Sequence, residues 1–197
     1  MKTRLLLLAV LLVLTAAVVL VSIRLAPPAQ VVEVPAPVEL PEGYAAENDF
    51  TFREVFADGE AVDADGNPVT GVTHTLGEYA GRPAAVIFWA SWSSSGRDQL
   101  REVEAVMAEY EGRAAILPIN VGKAGKDSEK KARIALGGYG LPLYIDKSGV
   151  VTFNVTSPPE TFFFDAMGNL TSSVKGVCPA ETIRETLDGM LAGGERE

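Results

Sequence analysis

Five consecutive residues hold the densest group of potential nucleophiles in this chain: Trp92, Ser93, Ser94, Ser95 and Gly96. A serine hydroxyl becomes a useful nucleophile only when an adjacent base accepts its proton. The chain has one histidine, His74. It precedes residues 84–89, an apolar run that is typical of a buried strand. We therefore interpret His74 as a surface or hairpin residue rather than as part of a triad with Asp165 or Glu160. The serines are better explained as the N-cap of a helix that begins at this point.

Cys178 is the only cysteine in the 197 residues. This count excludes an internal disulfide, a Cys-x-x-Cys redox pair and a cysteine-rich zinc site. Pro179 suits the first position of a helix, which would make Cys178 the N-cap and Glu181 the third helical residue. A thiol at a helix N-terminus is expected to have a lowered pKa. Cys178 could then form a mixed disulfide or link two copies of the chain, or it could simply be a small residue at a cap position.

The charge of the chain is unevenly distributed. The formal net charge is -9 at pH 7, but the first 24 residues hold three basic residues and no acidic one. The remainder therefore carries 14 basic and 26 acidic residues, a balance of -12 that argues against a nucleic-acid partner. No pattern predicts a metal site or a cofactor. A basic group within this acidic remainder is typical of the solvated face of a helix: Lys123, Lys126, Lys130, Lys131 and Arg133.

Apolar runs and helical spacings predict alternating strands and helices after residue 49. The pattern favours strands at residues 50–56, 69–76, 84–89, 114–121, 141–145, 161–164 and 170–177. It favours helices at residues 97–110, 128–136 and 179–191. The order of strand, helix and strand, then helix, hairpin and helix, implies an α/β sandwich with a mixed sheet.

The N-terminal residues have the composition of a membrane anchor. Residues 5–23 carry no charge and, as a helix, would span roughly 28 Å. We interpret residues 1–24 as an uncleaved signal anchor with one transmembrane helix, in preference to a cleaved signal peptide. Lys2 and Arg4 favour a cytoplasmic N-terminus, which would make this a single-pass protein of a bacterial cell membrane with its domain on the extracytoplasmic side.

Between this anchor and the predicted domain lies a segment rich in proline. We interpret residues 25–48 as a linker that is either an extended polyproline-like stalk or a disordered spacer. Residues 49–193 then form the domain, and residues 194–197 form a short tail.

Several segments of the domain recur, in the same order, in a known family: Gly81-Arg-Pro83, Phe88-Trp-Ala-Ser-Trp92, Ile119-Asn-Val-Gly122, Leu141-Pro-Leu-Tyr-Ile-Asp146 and Pro159-Glu-Thr-Phe-Phe-Phe-Asp165. They resemble the membrane-anchored thiol-disulfide oxidoreductases of the TlpA/ResA type, which belong to the redoxins. The resemblance covers roughly residues 50–191 and implies a thioredoxin-like three-layer sandwich with a mixed central sheet. An N-terminal anchor followed by a linker also matches the usual arrangement of that family.

The resemblance places the Cys-x-x-Cys of the family at Ser93, Ser94, Ser95 and Gly96. A mixed disulfide needs a thiolate, so dithiol exchange at this site is excluded. Ile87 replaces an Asp or Asn that often precedes Phe-Trp in thioredoxin-like proteins. Gln99 replaces an acid that often lies three residues beyond the second cysteine, and Arg101 replaces a proline. The two acids could manage protons during exchange, so their loss is coherent with the loss of both thiols.

The resemblance also implies a cis proline, Pro159 or its neighbour Pro158, beside a groove that receives an extended client peptide. The expected groove residues are Trp92, Ser93, Pro159, Glu160, Gly176 and Val177. We expect a scaffold or chaperone-like role in envelope protein or cytochrome maturation, with extracytoplasmic polypeptides or a membrane protein as partners. The alternative function is monothiol exchange through Cys178, in the service of cell redox homeostasis.

Overall fold

A computed structural model of the chain describes residues 28–33, 35 and 38–194. Within these residues lie nine strands: β1 Gln30–Val31, β2 Thr51–Val55, β3 Ala61–Val62, β4 Gly71–Thr75, β5 Ala84–Trp89, β6 Ala115–Asn120, β7 Tyr144–Asp146, β8 Glu160–Phe164 and β9 Leu170–Lys175. The same residues form four α-helices: α1 Ser94–Met107, α2 Glu129–Leu136, α3 Gly149–Thr152 and α4 Ala180–Gly194. Short 3₁₀ turns lie at Ala46–Asn48, Leu76–Tyr79 and Ala108–Tyr110.

Seven strands form one mixed sheet in the order β4-β2-β7-β6-β5-β8-β9. Strands β5, β6 and β7 run parallel, and the other neighbours pair antiparallel. Every residue of β5 and β6 is buried, as continuous apolar runs predict for central strands. We call the end at which the three parallel strands terminate the carboxyl end of the sheet. The start of β8 and the finish of β9 lie there as well, because Glu160 pairs with both Phe88 and Lys175.

The two faces of the sheet are covered differently. Helices α1, α2 and α4 cover one face, where Val103 of α1 and Ile183 of α4 share a buried cluster with Ile87 of β5. Ala132 of α2 packs with Trp89 at the end of the same strand. The other face is filled by phenylalanine rings whose centroids lie 5.2–5.9 Å apart in successive contacts: Phe50, Phe88, Phe153 and Phe162. The predicted α/β fold with a mixed central sheet is confirmed.

Several elements differ from their predicted bounds, and two of them do so for evident local reasons. Helix α1 begins at Ser94, three residues earlier than the apolar spacing predicts, because Ser93 caps it. The strand predicted at residues 141–145 is reduced to β7, Tyr144–Asp146. Pro142 lies in the part that is lost, and a proline has no N–H to donate to a sheet.

Parts of the predicted linker lie against the domain. Strand β1 pairs in parallel with β3. Ala45 donates its N–H to the Met167 carbonyl at 2.8 Å, and the Asn48 side chain donates to the Gly168 carbonyl at 3.0 Å. Distant parts of the chain therefore satisfy some of the backbone groups of this segment.

No helix among the residues that the structure describes is long and apolar enough to cross a membrane. The signal anchor predicted for residues 1–24 lies outside the described residues. The same is true of residues 195–197, within the predicted tail.

Candidate functional site

The residues at the predicted thiol positions directly follow β5 at the carboxyl end of the sheet. We call Trp92, Ser93, Ser94, Ser95 and Gly96 the serine turn. The Ser93 Oγ accepts a hydrogen bond from the Gly96 N–H at 3.3 Å, which makes Ser93 the N-cap of α1, as predicted. The Ser93 and Ser95 hydroxyl oxygens lie 2.8 Å apart. These hydroxyls serve the helix terminus and each other.

His74, the single histidine of the chain, lies too far from these serines to activate them. His74 lies in β4, and three strands separate β4 from β5 in the sheet. At about 4.8 Å per strand spacing the two strands are about 19 Å apart. Both ring nitrogens of His74 instead face carboxylates, those of Glu54 and Glu78. This separation excludes a catalytic triad formed by these serines and His74.

Gly96 occupies the position of the second thiol, and its backbone leaves no room for a side chain. A Cβ at position 96 would lie 2.5 Å from the Ala90 carbonyl oxygen, although real Cβ contacts are essentially never under 3.0 Å. The obstacle is a backbone atom, which cannot rotate away as a flexible side chain would. The serine turn therefore lacks both the thiols and the space for the second of them.

Gln99 joins α1 to the segment that precedes α4. Its side chain is fully buried. Its Nε2 donates to the Cys178 carbonyl at 3.1 Å, and its Oε1 accepts the Cys178 N–H at 2.6 Å. An amide can both donate and accept, whereas an ionised carboxylate can only accept. The Gln99 amide therefore fastens the backbone of Cys178 to α1.

The Cys178 thiol is not the activated group that the sequence predicts. Cys178 is fully buried, and burial raises the pKa of its thiol, an effect that a contact from Thr161 opposes only in part. The expectation of a lowered pKa is therefore wrong. With its sulfur out of solvent, Cys178 cannot begin thiol exchange or link two copies in this conformation.

The position of Cys178 relative to α4 explains in part why the predicted lowering of its thiol pKa is wrong. The helix begins at Ala180, and the Ile183 N–H bonds to the Pro179 carbonyl at 3.1 Å. Pro179 is thus the cap residue, and Cys178 lies one residue outside it. The Ala180 N–H is satisfied by Glu102 of α1 at 2.9 Å. A carboxylate from another helix, and not the thiol, occupies the positive end of α4.

The loop before β8 contains the predicted cis bond, between Pro158 and Pro159. We call residues 156–159 the proline loop. The N–H groups of Thr156 and Ser157 both bond to Glu160 Oε1, at 3.3 and 3.1 Å. The Pro159 carbonyl accepts the Gly176 N–H at 2.9 Å. The buried Glu160 side chain and the strand beside it thus hold the loop in place.

The structure brings the predicted groove residues to one end of the sheet. They follow β5, begin β8 or follow β9, three strands that are neighbours: Trp92, Ser93, Pro159, Glu160, Gly176 and Val177. Their exposure differs. The Trp92 side chain is 56% exposed, whereas Pro159 and Glu160 are buried. Among these six residues, only Trp92 therefore presents a large apolar surface to solvent.

Sequence reasoning missed Asp127, which binds Ser91, the residue just before the serine turn. Its carboxylate accepts hydrogen bonds from the Ser91 N–H and hydroxyl, both at 2.6 Å, and from the Asn120 amide at 2.9 Å. Burial opposes its ionisation, but the hydrogen bonds from Ser91, Asn120 and Ser128 outweigh burial and hold the pKa of Asp127 below its usual value. The only sequence signal was an acid placed just before the cap of α2. Among the described residues, no cluster of three or more His, Cys, Asp or Glu side chains could hold a metal ion.

His74 is expected to titrate above its usual pKa of about 6.5. Glu54 and Glu78, at 3.4 and 2.7 Å from its ring nitrogens, raise the pKa of His74, although burial opposes them. Because the folded-state pKa is the higher one, the ion pairs stabilise the fold fully below pH 6.5 and lose this effect as pH rises through the folded-state pKa. The ring proton shifts of the single histidine, followed by NMR against pH, measure this value without ambiguity.

Matched variants assign the cause of the shift. Glu54→Gln and Glu78→Gln should each lower the midpoint, and Glu111→Gln, at an exposed position beyond α1, should leave it unchanged. A wild-type midpoint at or below 6.5 would show that the carboxylates do not act on the ring as described.

Comparison with known proteins supports the resemblance. The thioredoxin-like protein YneN of Bacillus subtilis is 29% identical over 132 residues, which are 66% of this chain and 77% of that protein. The thiol-disulfide oxidoreductase ResA of Geobacillus kaustophilus is 27% identical over 147 residues, 73% of this chain and 83% of that protein. No protein-family model matches the chain.

A solved structure supports the same conclusion. The exposed lipoprotein thioredoxin Etrx1 of Streptococcus pneumoniae is 28% identical and superposes with a TM-score of 0.56, over 72% of this chain and 98% of that one. The sheet order, the cis proline before β8 and these relatives agree with the family segments found in the sequence. The chain therefore has a thioredoxin-like fold and is similar to the thiol-disulfide oxidoreductases of the TlpA/ResA type, and Ser93 and Gly96 occupy the positions that correspond to their two thiols.

Proposed function

We propose that this protein binds extended polypeptide segments without exchanging disulfides. The observation that carries the proposal is the contrast between the two halves of its site. The serine turn has lost both thiols, and the Ala90 carbonyl fills the space of the second one. The proline loop, in contrast, is kept and is held by Glu160 and Gly176.

The monothiol alternative has no comparable support. Cys178 is buried, its thiol pKa is raised, and its backbone is fastened to Gln99. Exchange through this sulfur would require the segment before α4 to leave its place. We therefore do not propose Cys178 as a reactive group.

The place of action is proposed from the N-terminal sequence. An uncharged run at residues 5–23 between basic residues suits a signal anchor, with the domain held on the extracytoplasmic side of the cell membrane. Clients in that location would be envelope polypeptides, cytochrome precursors or a membrane partner protein. The role would be that of a scaffold or holding protein during their maturation.

The protein is expected to bind an unfolded polypeptide but not to reduce insulin. Binding of a labelled polypeptide with carboxymethylated thiols is measured by fluorescence anisotropy, and insulin reduction is measured with a thiol donor. Trp92→Ala removes the exposed aromatic surface and should weaken binding about tenfold, as loss of a central aromatic contact does. Leu170→Ala, at an exposed apolar position at the opposite end of the sheet, should bind as wild type does.

Two results would overturn the proposal. Insulin turnover above that of the thiol donor alone would show that redox activity remains. Absence of polypeptide binding, or equal binding by wild type and Trp92→Ala, would show that this end of the sheet receives no client.

A further inference from the structure

The lysines of the domain are all found at the carboxyl end of the sheet. They lie after β6, in the first turns of α2, after β7 and at the finish of β9: Lys123, Lys126, Lys130, Lys131, Lys147 and Lys175. All six are exposed. The part of the chain after residue 24 has a balance of -12, so this positive surface runs against the overall charge.

These lysines have no partner among the described residues, since none makes an ion pair or a side-chain hydrogen bond there. Arginines elsewhere do form pairs, such as Arg184 with Glu109 at 2.7 Å. Four partly or fully exposed acids of this end are already engaged: Asp98 with Arg101, Glu129 with Arg133, Glu181 with Arg184, and Glu102 with the Ala180 N–H. The other acids here are buried: Asp127, Asp146 and Glu160. The positive charge is therefore left free for an external partner.

The backbone of the proline loop offers hydrogen-bond acceptors and no free N–H donor. The N–H groups of Thr156 and Ser157 are bonded to Glu160, and the two prolines have none. The carbonyl oxygens of residues 156–158 accept no hydrogen bond from the rest of the described chain. A partner that lies here must donate hydrogen bonds, as the backbone of an extended polypeptide does. A lipid phosphate or an inorganic anion offers only acceptors, so it would find no backbone donor here and only the hydroxyls of Thr156 and Ser157.

An aromatic side chain and a cleft adjoin the lysines. The Trp92 Nε1 donates to the Gly125 carbonyl at 3.3 Å, which holds its exposed ring beside the segment that contains Lys123 and Lys126. A cleft of about 680 Å³ opens between the loops after β6 and β7, and its walls carry three cations and three acids: Arg53, Lys123 and Lys147 with Asp127, Glu129 and Asp146. The surface thus combines an apolar contact, positive charge and room for side chains.

We propose that the partner is an acidic, extended polypeptide segment that lies across the carboxyl end of the sheet. Its backbone N–H groups bond to the carbonyls of the proline loop, an apolar side chain covers Trp92, and its carboxylates contact Lys123, Lys126 and Lys175. The negative charge over the rest of the domain repels such a segment and directs it to this end. This proposal rests on the proposed function and names the chemistry of its client.

The test uses three synthetic peptides of one sequence, whose variable positions carry glutamate, glutamine or lysine. Affinities for the protein are measured by anisotropy at low and high salt. The acidic peptide is expected to bind about tenfold more tightly than the glutamine peptide, since two or three exposed ion pairs supply about that factor. The lysine peptide should bind most weakly, and high salt should reduce the differences.

Charge-matched variants locate the contact. Lys123→Glu with Lys175→Glu should remove the preference for the acidic peptide, whereas Arg82→Glu with Arg113→Glu, two cations at the opposite end, should preserve it.

Equal affinity for all three peptides would overturn the inference and leave the proposed function standing. Binding of no peptide would overturn both. Loss of the preference in both double variants would show a net-charge effect without a site, and retention of it in both would place the contact elsewhere. Binding to phosphatidylglycerol vesicles, but not to the acidic peptide, would assign the lysines to a membrane surface instead.

Discussion

Replacing Gln99 with glutamate is expected to lower the free energy of unfolding by about 3 kcal/mol at pH 7. The Gln99 amide donates to the Cys178 carbonyl and accepts its N–H in a fully buried place. An ionised carboxylate would face that carbonyl without a proton to donate, and burial disfavours its charge. Because glutamine and glutamate have nearly the same shape, the loss would be electrostatic and not steric.

The loss is expected to vanish in acid. Burial should raise the pKa of the introduced carboxyl above its unfolded value of about 4.3. The destabilisation is then absent below that pH, where the neutral carboxyl can donate its proton to the Cys178 carbonyl. It grows as pH rises past about 4.3 and becomes constant above the folded-state pKa.

Urea unfolding at several pH values measures this behaviour. Gln99→Met is the matched control: it removes both hydrogen bonds without adding a charge, so its cost should be similar at all pH values. The variant Gln99→Glu could be as stable as the wild type at pH 7, or its loss of unfolding free energy could be the same at every pH. Either result would show that Gln99 does not hold the Cys178 segment as described.

Replacing Gly96 with alanine is expected to destabilise the domain by about 2 kcal/mol. Helix propensity alone predicts the opposite sign, a gain of up to about 1 kcal/mol for Gly→Ala within a helix. The new Cβ would lie 2.5 Å from the Ala90 carbonyl oxygen, so the start of α1 or the end of β5 would have to shift. A cysteine has the same Cβ, and restoring both thiols by Ser93→Cys with Gly96→Cys would carry the same cost.

Gly189→Ala is the control for this substitution. Gly189 lies within α4, and a Cβ there meets no atom within 4 Å. It should therefore gain stability by about 0.5–1 kcal/mol. The two midpoints of thermal or urea unfolding should move in opposite directions. A stabilised Gly96→Ala would mean that the second thiol position is open and that the loss of redox chemistry is a loss of side chains only.

The central fold could be predicted because its signals are local. The runs at β5 and β6 are apolar at nearly every position, and only strands buried on both faces need such runs. The cap of α1 could be predicted for the same reason, since Ser93 and the Gly96 N–H that it accepts are three residues apart. The pairing of β1 with β3 could not, because two short strands far apart in the chain carry no periodic pattern.

The properties of the site depended on contacts that no local pattern contains. The amino-acid sequence by itself determined that both thiols are missing, because Ser93 and Gly96 can be read directly. It suggested an activated thiol at Cys178, because a helix follows. Only the tertiary structure decided otherwise: α4 packs on α1, Cys178 lies in their shared buried cluster with its backbone bonded to Gln99, and burial raises the pKa of its thiol. A side chain's pKa depends on its solvation and on its neighbours in space, and those are fixed when distant segments pack together.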